Sequence, residues 1–196
     1  MQPTIAAVEP GTAAGVSTGV VVQTEGPDTM EGSDEITYRR EVRHDDVAIV
    51  DDIVVTTGVF SQDEVAIAIE LVNDRLEKGS RSEYHFIFAE HGKNILGYTC
   101  FGPVPGTDRR FEIYWIAVYS AFQKFGIGKN LLKQTEEAIH EMGGLRIYIE
   151  TSSRKEYEPT RRFYRRNGYE VAAVLKDFHA VGDSNVIFCK QIIAQA

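Results

Sequence analysis

The stretch "QKFGIGKN", residues 123–130, sets Gly126 and Gly128 two apart at the mouth of a helix, just after the strand-like run "RFEIYWIAVYS" (110–120). Glycine weakens a helix start unless the backbone there must approach something closely, and that something is most often a phosphate. Two well-known phosphate loops do not fit. A Walker A loop, GxxxxGK[ST], would need glycine at Gln123 and a hydroxyl residue at Asn130; a dinucleotide fingerprint, GxGxxG, would need glycine at Leu131. A glycine-rich strand-to-helix turn that binds nothing produces the same pair, so the loop alone leaves both readings open.

Outward from the loop the elements follow in order. "YHFIFAEHG" (84–92) and "NILGYTCFGPV" (94–104) read as two strands joined by a hairpin at His91-Gly92-Lys93. Before them, "ITYRREVR" (36–43) alternates as a strand, and "DDVAIVDDIVVTTGVF" (45–60) reads as a short helix with a loop at Thr56–Gly58. "SQDEVAIAIELVNDRLEKG" (61–79) predicts a helix opened by a Ser61/Glu64 capping box and closed at Gly79. Its apolar stripe is Val65, Ala68, Ile69, Val72 and Leu76.

After the loop, a helix runs to Met142 with Leu131, Leu132, Thr135, Ile139 and Met142 inward. "LRIYIETSS" (145–153) is a strand and "EPTRRFYRRNGY" (158–169) a helix with Pro159 in its first turn. Residues 170–192 read as two strands around Gly182-Asp183. A hairpin meander with helices packed around it is an α+β (mixed α/β) domain, with a mostly antiparallel sheet of about six to seven strands and about four helices.

Composition limits the partners. The 196 residues carry a net charge of −8, which argues against nucleic acid and anionic membranes, and no apolar run is long enough to span a bilayer. Cys100 and Cys189 lack metal-ligand spacing and read as free thiols of a reducing cytoplasm; no metal is expected. Residues 1–34, rich in Gly, Ala, Thr, Val and Pro, read as a disordered or loosely packed tail before a domain spanning 35–196.

The neighbourhood of the loop carries more than its glycines. Val118 to Gly128 reads V-x-S-x-x-Q-x-x-G-x-G, which resembles the acetyl-CoA-binding motif of the GNAT superfamily of N-acetyltransferases, V-x-P-x-x-[QR]-x-x-G-x-[GA]. "FYRRNGY" (163–169) falls in the family's order, and the resemblance covers about residues 36–192. Ser120 stands where the family commonly has proline.

The resemblance implies a GNAT-like sheet splayed between strands 4 and 5, and acetyl-CoA as cosubstrate. It places Ile116, Ala117 and Val118 against the thioester and Gln123, Lys124, Phe125, Gly126, Ile127, Gly128 and Lys129 around the pyrophosphate. The physics of the loop agrees: successive N–H groups at a helix N-terminus form a nest for a doubly charged anion. By the same resemblance the N–H of Val118 bonds the thioester carbonyl, and Tyr164 protonates the departing thiolate.

By strand alternation Glu112, Tyr114, Ile116 and Val118 share one face. Glu112 is the first candidate base and Glu150 the second; each also reads as an ordinary strand glutamate. The acceptor is then a small-molecule primary amine, with a protein N-terminus or lysine also open, attacked directly in a ternary complex. The alternative is a non-catalytic acyl-CoA-binding module. The resemblance also implies that the helix 61–79 and the loop before it, "VVTTGVFSQDE" (54–64), line the acceptor side with the hairpin around 177–185, whose Asp177, His179 and Asp183 read either as a seat for an ammonium or as a polar hairpin tip. A homodimer is compatible with the resemblance.

Overall fold

The computed structural model describes residues 35–58 and 60–192. The tail reading of residues 1–34 therefore lies outside the described residues. The elements are β1 (Thr37–Arg39), α1 (Asp46–Thr57), α2 (Gln62–Lys78), β2 (His85–His91), β3 (Asn94–Pro103), β4 (Arg110–Val118), α3 (Ile127–Glu141), β5 (Arg146–Ser152), α4 (Glu158–Arg166), β6 (Glu170–Ala180) and β7 (Asp183–Gln191). The strands form a seven-stranded sheet in the order β1-β2-β3-β4-β5-β7-β6, antiparallel except for the β4–β5 pair. This is the expected α+β architecture.

Helices cover both faces. On one, Val50, Ile53 and Val54 of α1 and Ala68, Leu71 and Val72 of α2 pack on Phe86, Phe88, Tyr98, Trp115 and Ala117. On the other, Leu131, Leu132 and Ile139 of α3 and Tyr164 of α4 pack on Ile87, Phe111, Ile113 and Phe188. Adjacent residues of β2 thus feed opposite cores, as a two-residue period requires.

The Ser61/Glu64 capping box forms: the Glu64 N–H donates to Ser61 Oγ, and Glu64 Oε2 accepts from Ser61 N at 2.8 Å. Two stripe expectations shift. Leu71 rather than Ile69 enters the core of α2, and Met142 sits just past α3 with 44 % of its surface exposed. Gly143, at φ 80°, has already turned the chain away there. The first strand is shorter than its alternating pattern, and α1 runs through the expected loop to Thr57.

Two irregularities of β4 position the site. Cys100 pairs with Trp115 while Phe101 pairs with Ile113, so Tyr114 is an extra residue, a β-bulge. The bulge transposes the alternation. Phe111 and Ile113 face α3, yet beyond Tyr114 it is Trp115 and Ala117 that face α1 and α2, while Ile116 and Val118 face α3. The shared face expected for Glu112, Tyr114, Ile116 and Val118 is therefore broken. Glu112 and Tyr114 lie on the α1/α2 side, and Ile116 and Val118 on the other.

The second irregularity is a gap. β4 pairs with β5 only at Arg110↔Arg146, Phe111↔Ile147 and Glu112↔Tyr148; from Ile113 onward the two strands part. The expected splay between strands 4 and 5 is present.

Candidate active site

A cavity of about 340 Å³ occupies the gap. Its wall draws Thr57, Phe60, Glu64 and Trp115 from the α1/α2 side and Ile116, Val118 and Tyr164 from the α3/α4 side. It is therefore walled by residues from both sides of the sheet.

The edge of β4 facing this gap presents unpaired main chain. The Tyr119 N–H donates to Leu96 O at 3.0 Å, so Tyr119 is turned toward β3. Peptide groups alternate along a strand, so Ala117 also faces β3, while Val118 and Ile116 direct N–H and C=O into the gap. The Gln123 side-chain amide reaches the Val118 carbonyl at 3.5 Å, consistent with that orientation. Of the three β4 residues expected at a thioester, Ile116 and Val118 turn main chain into the gap; Ala117 contributes wall only.

The loop that follows leaves β4 through a turn in which Ser120 Oγ donates to Thr56 O at 2.8 Å. The hydroxyl that replaces a proline thus ties the strand exit to the end of α1. Lys124 and Gly126 both have positive φ, 76° and 82°, and α3 begins at Ile127. The first helical bond of the loop is Asn130 N–H to Gly126 O at 3.1 Å. Among the described residues no acceptor meets the N–H groups of Lys124, Phe125, Gly126, Ile127, Gly128 or Lys129.

A run of unsatisfied donors at a helix N-terminus is an anion site in waiting. A Cβ at Gly126 would meet nothing within 4 Å, so the space over the loop is clear. Ile127 belongs here through its N–H alone, because its side chain is 2 % exposed in the α3 core. Phe125, at 63 % exposure, is an apolar side chain held out beside the loop.

Tyr164 lines the cavity from α4, held by rings of Phe163, Tyr169 and Phe188 at centroid distances of 5.4, 5.9 and 5.7 Å. Burial raises its pKa above the usual phenol range, so it keeps its proton at neutral pH. Its hydroxyl makes no hydrogen bond to any described residue.

Glu150 lines the cavity and accepts a 2.6 Å hydrogen bond from Asn185 Nδ2. Glu112 does not reach the wall. Burial, aided by the nearby Glu150 charge, pushes its carboxyl up to about 7. Of the hairpin trio only His179 reaches the cavity. Asp183 is buried, accepting from Ser152 Oγ at 2.6 Å, and Asp177 accepts the Gly182 N–H at 2.8 Å; both are spent on structure. The wall also holds Phe60 and Glu64, from the stretch the resemblance implies on the acceptor side, and Tyr114, Arg154 and Tyr157, which were not among the expected site residues. No local motif announces those three, because β4 and the segment after β5 meet only at the gap.

The sequence profile of the acetyltransferase (GNAT) family matches residues 50–169, more than half of the chain. The chain belongs to the GNAT family. A solved protein assigned to this GNAT family, from Desulfovibrio desulfuricans, is 38 % identical, with a TM-score of 0.80 over 81 % of this chain and all of that one. An aminoglycoside 6'-N-acetyltransferase complexed with coenzyme A shares the fold at 18 % identity, with a TM-score of 0.65 over 83 % of this chain and 99 % of its own. YncA from Salmonella typhimurium, solved with acetyl-CoA, does so at 17 % identity and a TM-score of 0.63, over 83 % and 96 %. A search of curated proteins gives no match. The GNAT chain is thus an acetyltransferase by family.

Proposed function

We propose that this protein transfers the acetyl group of acetyl-CoA to a primary amine by direct attack in a ternary complex. The observation that carries this is the juxtaposition, at one gap in the sheet, of an open donor loop, outward-turned strand N–H groups and a protonated tyrosine. The donor fits: the free N–H run from Lys124 to Lys129, with Lys124 and Lys129 at its rim, suits a pyrophosphate. Acetyl-CoA supplies an activated acetyl thioester.

The protein's own groups do the rest. The N–H of Val118 is placed to receive negative charge on a carbonyl oxygen in the gap, a type of donor worth about 3–4 kcal/mol in acyl transfer. Tyr164 holds a proton for the departing sulfur. At pH 7.4 only about one in a thousand lysine-type amines is neutral, so a proton must be removed before attack. The Glu150–Glu112 pair takes that proton, Glu150 from the wall and Glu112 behind it with a carboxyl that titrates near neutrality.

The direct test is release of free thiol from acetyl-CoA with an amine panel, with the acetylated product identified by mass. A pure acyl-CoA-binding module gives coenzyme binding and no thiol with any amine, and that result would defeat the proposal.

Glu112 gives a second test with a defined sign. Its native pKa is raised from 4.5 to about 7, so its contribution to stability is complete below 4.5 and lost as pH rises through about 7. Turnover depends on the opposite form and should climb across the same interval. Glu112→Gln is expected to flatten that limb of the pH–rate profile. The variant should also gain stability relative to the parent between pH 5 and pH 8, by up to about 3 kcal/mol in chemical denaturation. A limb near 7 that survives in Glu112→Gln would remove Glu112 from the proton path.

A further inference from the structure

Resting on the amine-acetylation reading, we propose that the acceptor carries a second cationic group besides the amine that is acetylated, and that Glu64 holds it.

Three carboxylates line the cavity, Glu64, Glu150 and Glu156. None of them takes part in an ion pair among the described residues. The one permanent cation on the wall, Arg154, is already committed: its Nε lies 3.4 Å from Asp183 Oδ2 and 3.3 Å from Ser152 Oγ. Among the described residues no cation therefore pairs with the three carboxylates of this wall.

Glu64 is the decisive member. It is only 6 % exposed, yet it borders the cavity. Its capping duty occupies a single oxygen, Oε2, which takes both the Ser61 N–H and the Ser61 hydroxyl at 2.8 and 2.9 Å. Oε1 has no partner among the described residues. On a residue that borders the cavity, this second oxygen is open to a ligand ammonium, which would give it a charge-assisted hydrogen bond.

Glu64 stands on α2, whereas Glu150 stands on β5 across the gap. In the proposed mechanism Glu150 serves the attacking nitrogen, which leaves Glu64 for a second cation. The same wall carries aromatic rings, Phe60 and Trp115 at a centroid distance of 6.2 Å and also Tyr114. Such a surface suits an apolar spacer and attracts cations to its ring faces. The chemistry described is a diamine: one amine at the gap, a short hydrocarbon, a second ammonium at Glu64.

The experiment compares 1,4-diaminobutane, n-butylamine and 4-aminobutanoate, which differ only in the remote group. Binding to the full chain is measured by calorimetry in saturating coenzyme A, alongside thiol release from acetyl-CoA. The diamine is expected to bind at least about tenfold more tightly than butylamine, as one charge-assisted contact provides, and the amino acid most weakly. In Glu64→Gln the diamine-to-monoamine ratio should fall to about one. Glutamine serves at the same capping-box position, so the start of α2 is kept. Equal binding of diamine and monoamine to the parent protein, or an unchanged ratio in Glu64→Gln, overturns the proposal. Selective, Glu64-dependent diamine binding without thiol release supports the second-cation site and defeats acetyl transfer instead, so the two failures are distinct.

Discussion

Coenzyme binding is expected to disappear when Gly126 is replaced by aspartate. Gly126 has φ 82°, a conformation that aspartate tolerates better than most side chains, and its added Cβ would meet nothing within 4 Å. The variant should therefore fold with little change in Tm. Its carboxylate would stand over the six free N–H groups from Lys124 to Lys129, where the pyrophosphate must lie. Like charges placed face to face cost several kcal/mol, which corresponds to a loss of about a thousandfold or more in affinity. Calorimetry with coenzyme A measures it directly. Gly126→Asn, equal in shape and uncharged, should lose far less, which separates charge from backbone. Undiminished affinity in Gly126→Asp would remove the loop as the diphosphate site.

The second large effect belongs to Tyr164. Tyr164→Phe deletes one oxygen from a side chain otherwise held by three aromatic rings, so the packing of α4 stays intact. Turnover is expected to fall by about 10- to 100-fold, at the lower end of what a positioned acid contributes, because a thiolate leaves readily without help. Affinity for acetyl-CoA should hardly change. The loss should appear in kcat and be small with an acyl donor whose thiol is more acidic. Full turnover in Tyr164→Phe would take this residue out of the chemistry.

Local chemistry was legible from the chain alone, and long-range geometry was not. Ser61 with Glu64 announced the start of α2, and Gly126-x-Gly128 announced the donor loop, because both are written within a few residues. Tyr164 was implied by the family resemblance alone, and the structure puts it on the cavity wall. The bulge at Tyr114 left no mark, since an extra residue in one strand is defined only against its partner, β3. That one slip put Glu112 and Val118 on opposite faces despite a six-residue spacing that satisfies a period of two. Asp183 misled for a related reason: its partners Ser152 and Ser153 are about thirty residues away in the chain. The role proposed for Glu64 was hidden by its own capping motif, which explains the residue completely until its second oxygen is followed into the cavity.

The parting of β4 from β5 also leaves a signature that needs no ligand. Within one strand, Trp115, Ala117 and Tyr119 are turned toward β3, whereas Ile116 and Val118 point into open space. Deuterium uptake along this segment should consequently alternate residue by residue, slow and fast in turn, near the middle of the molecule where uniform protection would otherwise be the rule. A sheet that ought to be a single rigid plate is instead two plates riveted at three residues, and the seam between them is already open before any reactant arrives.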